Sequence, residues 1–173
     1  MGAQTVNNIG TNYVLYYNIL DYFKTIIKNH PSLNFVSQGD MFSIDTKEFP
    51  AYPLGNINIS RADFLEKEII YTCQLTIADK VKDKNNESTG TANNQTIPFD
   101  GTDDTVDIHA NTLSIVNDLI SFTRTGVNAF DFSGNPSAQP FKDNFDNGLA
   151  GWVITFNLVV FNSADTCLFP NLL

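Results

Sequence analysis

Apolar residues recur along this chain with two different periods, and the switches between them mark out its elements. Over residues 12–29, "NYVLYYNILDYFKTIIKN", the residues Tyr13, Tyr16, Tyr17, Leu20, Phe23 and Ile27 return at helical spacing and predict an amphipathic helix. His30-Pro31 ends it, because the residue before a proline is pushed out of the helical region. Alternation at period two then takes over. Leu33 and Phe35 precede a Gly39-Asp40 turn, with Phe42 and Ile44 after it, which predicts a hairpin. Two prolines in "FPAYPLGNINIS" place its first part on an edge or in an extended link, and Ile57 and Ile59 alternate with polar residues beyond them. "RADFLEK" reads as a helical turn or a bend.

The segment "EIIYTCQLTIADKV" is a half-buried strand, with Ile69, Tyr71, Cys73, Leu75 and Ile77 on one face. From Asp79 to Asp107 periodicity disappears, and the chain is polar and turn-rich apart from the apolar island Ile97-Pro98-Phe99. "NTLSIVNDLISFTRTG" restores helical order, with Leu113, Val116, Leu119 and Ile120 on one face, flanked by Ile115 and Phe122. "AFDFSGNPSAQPF" gives at most one short strand and a turn. The last strand, in "GLAGWVITFNLVVFN", has one wholly apolar face, Trp152, Ile154, Phe156, Leu158 and Val160. Its other face is mixed: Val153, Thr155, Asn157, Val159 and Phe161.

This order predicts an α+β fold: a mainly antiparallel sheet, two helices packed on one of its faces, and a long polar arm at 79–107. At 173 residues, 42% of them hydrophobic, the chain is expected to form a single domain over 1–173 with a substantial core. No apolar run has the length of a membrane span, and the first residues show no secretory pattern, so neither a membrane nor export is expected. The two cysteines, Cys73 and Cys167, are then expected to be reduced.

Charge changes the picture more than composition does. Residues 1–84 carry a net −1 and residues 85–173 a net −8, with Arg124 and Lys142 the only bases in that second half. Such a chain lacks the basic stripe that grips phosphates, so specific nucleic-acid binding is not expected.

The densest chemistry is "DGTDDTVDIH". Asp103, Asp104, Asp107 and His109 have the donor types of a metal site, but the spacing is not that of a calcium loop, and acids ahead of a helix also suit its positive pole. "DNFDNG" at Asp143 fails as a calcium loop because Phe145 stands where an oxygen ligand is needed. No nucleophile elbow or phosphate loop occurs. We therefore expect no enzyme, no metal and no cofactor.

The succession of helix, strand pair, "FPAYPLGNINI", strong strand, polar arm, second helix and closing strand resembles the tail-terminator or tail-completion proteins of tailed bacteriophages. "TIADKVKDKNNES" and "NTLSIVNDLI" are similar to neck or ring proteins of phages infecting gut Bacteroidetes, including the crAss-like group. The resemblance implies a structural virion protein, assembled in the host cytoplasm. It would form a six- or twelve-fold homo-oligomeric ring at the head–tail junction, between connector or portal and tail, around passing DNA that it does not bind specifically. The expected subunit or partner contacts are Ile97, Pro98 and Phe99 on the arm and Thr155 and Asn157 on the mixed strand face, which the chain's own arm could equally cover. Asp100, Asp103, Asp104 and Asp107 are the expected channel acids, repelling phosphate. The competing expectation is a calcium-assisted carbohydrate-binding β-rich module using the same acids.

Overall fold

A computed structural model describes residues 11–40, 51–82, 103–125, 130–142 and 148–161, with side chains from Tyr16 onward. The arm residues Ile97, Pro98, Phe99 and Asp100 lie outside these segments. The elements follow the order α1 (Thr11–Asn29), β1 (Phe35–Gln38), β2 (Leu54–Phe64), β3 (Glu68–Lys80), α2 (Thr105–Thr125), β4 (Asp131–Lys142) and β5 (Leu149–Phe161). The five strands form one sheet in the order β1-β2-β3-β5-β4, antiparallel except for the parallel pair β1–β2. This is the α+β class that the pattern predicts.

α1 buries Ile19, Leu20, Phe23, Ile26 and Ile27, the spacing of a single helix face. Tyr16 and Tyr17, assigned to the same stripe by spacing alone, are exposed. After the helix, His30 N–H donates to the Ile27 carbonyl and Ser32 N–H to His30 Nδ1. His30 Nε2 faces Asp118 of α2 at 3.6 Å. The histidine that the sequence marks as a helix terminator thus also ties one helix to the other.

The centre of the sheet is the β3–β5 ladder, paired from Glu68–Phe161 to Lys80–Leu149 without a break. Its helix-side face carries Ile69, Tyr71, Cys73, Leu75 and Ile77 opposite Val160, Leu158, Phe156, Ile154 and Trp152. Together with the α1 residues and Ile115, Val116 and Leu119 of α2 they form the core. Cys73 is a buried free thiol, pushed by that burial up to about 12.

Four local expectations are corrected. β1 does not form the first arm of a described hairpin; it runs parallel to β2, with Ser37 opposite Asn56, and residues 42–44 of the expected second arm lie outside the described segments. "RADFLEK" is neither helical nor a mere bend: β2 continues to Phe64, and Leu65 N–H closes on the Glu68 carbonyl to start β3. "DFSGNPSAQPFK" is a twelve-residue edge strand, β4. Its pairing slips between Ser133 and Ser137, where Gly134 takes φ 82°. The bulge and two prolines hide a strand from pattern reading, and on an edge they cost few ladder bonds while blocking further strand addition.

The α2 face is also rotated. Ile108, Thr112, Ile115, Val116, Leu119 and Thr123 are buried, whereas Leu113 and Phe122 are exposed. Thr112 and Thr123 belong in the core because their hydroxyls donate to the Ile108 and Leu119 carbonyls one turn back, which satisfies them internally.

Candidate functional site

Two places collect the residues singled out by sequence, and they lie on opposite sides of the sheet. The first is the start of α2, where most of the acids sit. Ile108 N–H donates to the Asp104 carbonyl, so the helix begins there, and the Asp103 carboxylate accepts the Thr105 amide at 3.0 Å. The other Asp103 oxygen takes a hydrogen bond from Lys142 Nζ at the end of β4. Asp104 is held as firmly, accepting Lys82 N–H at 2.8 Å just beyond β3. These acids therefore tie the helix start to two strand ends. Asp107 is exposed in the first turn.

Electrostatics separate two neighbouring carboxyls here. The Lys142 hydrogen bond, reinforced by Thr105, holds the Asp103 carboxyl well below the ordinary 3.8. Burial pushes Asp79 upward from the same reference; its bond from Lys80 N–H opposes that, and the nearby Asp104 adds to it. Because Asp103 is depressed in the fold, its contribution to stability is present above the unfolded carboxylate value and is lost as pH falls through that value toward the folded one. Asp103→Asn should lower the melting temperature at neutral pH and flatten its fall below about pH 4. Parallel melting curves for the two proteins across pH 2–7 would refute this role for Asp103.

His109 is also committed. Its Nε2–H donates to the Phe141 carbonyl at 3.0 Å, and its ring meets Trp152 edge-on at 5.9 Å. Trp152 Nε1 in turn donates to the His109 carbonyl at 2.9 Å. The cluster locks α2 onto β4 and β5. Among the described residues no group of three or more His, Cys, Asp or Glu side chains is placed to hold a metal.

The second place is the sheet face turned away from the helices. Thr155 and Asn157 lie at its centre, half-buried, directly opposite Gln74 and Thr72 of β3. Thr76–Val153 and Ile70–Val159 continue this double row in either direction. On β2, Asn58 stands beside Gln74. On β4, Ser133, Ser137 and Gln139 stand beside Asn157, Thr155 and Val153. No charged side chain occurs among these twelve positions, which span four strands. Charges flank them closely: on β2 Arg61 stands beside Thr72 and its bonded partner Asp63 beside Ile70, on β4 Asp131 stands beside Val159, and Glu68 and Lys80 close the two ends of β3. The β4 contribution escaped sequence reading because β4 itself did. The signal for the rest was present in the missing charges at every second position of β3 and β5.

A third surface is apolar. Phe64 and Leu65 at the β2–β3 turn and Phe161 at the end of β5 are brought to one end of the sheet by the register. They are 69%, 50% and 67% exposed. Phe64 pairs with Ile69 on the helix side and Phe161 with Glu68 on the far side, so the two rings stand on opposite faces of that end, while Tyr16, whose ring lies 6.4 Å from that of Tyr71, is exposed on α1 beside Tyr17.

Neither a protein-family model nor a curated protein matches this chain. No helix among the described residues is long and apolar enough to cross a membrane.

Proposed function

We propose that this protein is a structural subunit that assembles with copies of itself into a ring, as a neck or tail-terminator component at a phage head–tail junction, and that it performs no catalysis. The observation that carries the reading is the two-sidedness of β5. Its even-numbered residues lie in the core under the helices, while Thr155, Asn157 and their neighbours form an uncharged face on the other side. A solvated sheet face ordinarily carries Lys and Glu, whereas interface centres are depleted of charge. The exposed aromatic end supplies a separate surface for neighbouring proteins along the channel axis, since apolar patches rimmed by polar residues mark contact sites.

Channel lining is a narrower part of the proposal. There the exposed Asp107, in the first turn of α2, is the described acid assigned to repel passing phosphate. The Lys142 bond to Asp103 also weighs against the calcium-binding alternative, because an ammonium group already occupies that carboxylate. Native mass spectrometry over a concentration series tests the ring: a closed species of six or twelve subunits is the expected result. A monomer or an open-ended ladder at all concentrations, with calcium binding detected by calorimetry, would replace this reading with the carbohydrate-binding module.

A further inference from the structure

We infer that residues 166–173 of this chain seat in the apolar groove left between α2 and β4 on the helix side of the sheet. The inference is independent of the ring reading and concerns the opposite face from the one that carries it.

The groove follows from where α2 sits. It packs mainly on β5 and β3 and only marginally on β4, while α1 lies over β1 and β2. One flank of α2 turns toward α1, where Asp118 meets His30. The opposite flank carries Val106, Leu113 and Ile120 at seven-residue spacing and overhangs β4. Arg124 over the Phe132 ring and His109 on the Phe141 carbonyl fix it there. Beneath it, Phe132, Ala138 and Pro140 lie on the helix side of β4, opposite Leu158, Ile154 and Trp152. Val106 and Leu113 are 63% and 41% exposed, and Ala138 and Pro140 are exposed too. The groove runs about 20 Å along the sheet edge, the helical rise from Val106 to Ile120.

Position, length and chemistry single out the occupant. Asp131 pairs with Val159, so β5 leaves the sheet at the Phe132 end of the groove, and residues 162–173 follow directly. Asn162, Ser163 and Asp165 are turn formers, and "TCLFPNLL" after them is the most apolar stretch outside the described segments. Those eight residues reach about 26 Å when extended, enough to fill the groove. Asp165 is the only charged side chain in 162–173, and it falls at the Arg124 end. The arm island Ile97-Pro98-Phe99 reaches only about 10 Å and would leave half the groove open. A second copy, itself at net −9, must find the groove from free solution against charge repulsion. A segment tethered by a few residues instead presents an effective concentration of about millimolar.

The chain's own cysteines make the test. Cys167 lies in the segment, and the other thiol, Cys73, is sealed in the core and unreactive. Asn117→Cys places a thiol on the groove flank of α2, between Leu113 and Ile120, and Asn111→Cys places one on the flank turned toward α1. The full-length variants are oxidised with oxidised glutathione at about 1 micromolar, where closure within a chain outruns collisions between chains. Asn117→Cys should bridge to Cys167 within the chain at least tenfold faster than Asn111→Cys. Adding Phe169→Asp to Asn117→Cys should slow bridging at least tenfold, by removing the apolar anchor. Peptide mapping locates the bridge, and a non-reducing gel separates one chain from two. Circular dichroism confirms that each variant folds, and if Asn117→Cys does not, Ala138→Cys in the same groove carries the test.

Equal rates for Asn117→Cys and Asn111→Cys would overturn the inference, since a tether alone then brings the thiols together without a seat. A rate unmoved by Phe169→Asp would overturn it as well, because burial would not be holding the segment. Bridges found only between chains would overturn it in favour of a neighbouring copy. A bridge within the chain, specific to the groove flank and slowed by Phe169→Asp, sustains it whatever the ring test returns.

Discussion

Gly151→Ala should destabilise this protein by more than about 3 kcal/mol, enough to prevent folding at ordinary temperature in a marginally stable domain. Gly151 pairs with Ala78 in the central β3–β5 ladder and is buried. A methyl group there would run into the Ile77 carbonyl oxygen and stand 2.9 Å from Ala78 Cα. Both obstacles are backbone, so no rotamer change relieves them, and only separating the two central strands makes room. Gly55 provides the comparison. A methyl there meets Ile27 Cγ2 at 2.5 Å and Ile77 Cδ1 at 3.4 Å; both are side-chain atoms, but Ile27 Cγ2 sits on the stiff branched Cβ and yields only by a small shift of α1. Gly55→Ala should therefore cost about 1–2 kcal/mol, through local repacking under α1. Urea denaturation midpoints of the two variants check the order, and a Gly151→Ala protein as stable as Gly55→Ala would show that the strands yield where the register says they cannot.

Phe23→Ala should cost about 3–5 kcal/mol, as the truncation of a fully buried aromatic does when its surroundings cannot collapse. Phe23 is 0% exposed and joins three elements. Its ring lies 5.3 Å from that of Phe156 on β5 and stacks at 6.2 Å on Phe130, just ahead of β4. Tyr22 meets Phe130 at 5.2 Å, and Phe132 meets Phe156 at 5.5 Å, so the cavity would open inside an aromatic cluster whose members constrain one another. Phe64→Ala, at an exposed position, should change stability by less than about 0.5 kcal/mol. Thermal unfolding separates the two variants, and similar melting temperatures would mean that α1 is not anchored through Phe23.

The uncharged sheet face and the start of α2 differ in how legible they were. Alternation along β3 and β5 identified both faces of each strand, because period two requires only adjacent positions in the chain. Which residues would stand beside Thr155 and Asn157 was not readable. That depends on β3 and β4 pairing with β5, over separations of about 80 and 20 residues in the chain. The acids show the opposite failure. "DGTDDTVDIH" displays its carboxylates plainly, yet their employment is set by Lys82 and Lys142, which the fold brings to the helix start from two different strand ends.

Local pattern by itself determined the fold class, β3, β5, the first half of β2 and the bodies of both helices, since those features follow from how a backbone spaces its own side chains, although the arm drawn at 79–107 took in the end of β3 and the start of α2 at Thr105. It could not reveal β4, where Gly134, Pro136 and Pro140 read as turn residues until an edge position makes them acceptable. Nor could it orient α2, whose buried threonines look polar until each hydroxyl finds its own helix carbonyl. The parallel placement of β1, the link between His30 and Asp118, and the assembly of an uncharged face from four strands were decided by tertiary structure alone, because each is a relation between segments distant in the chain.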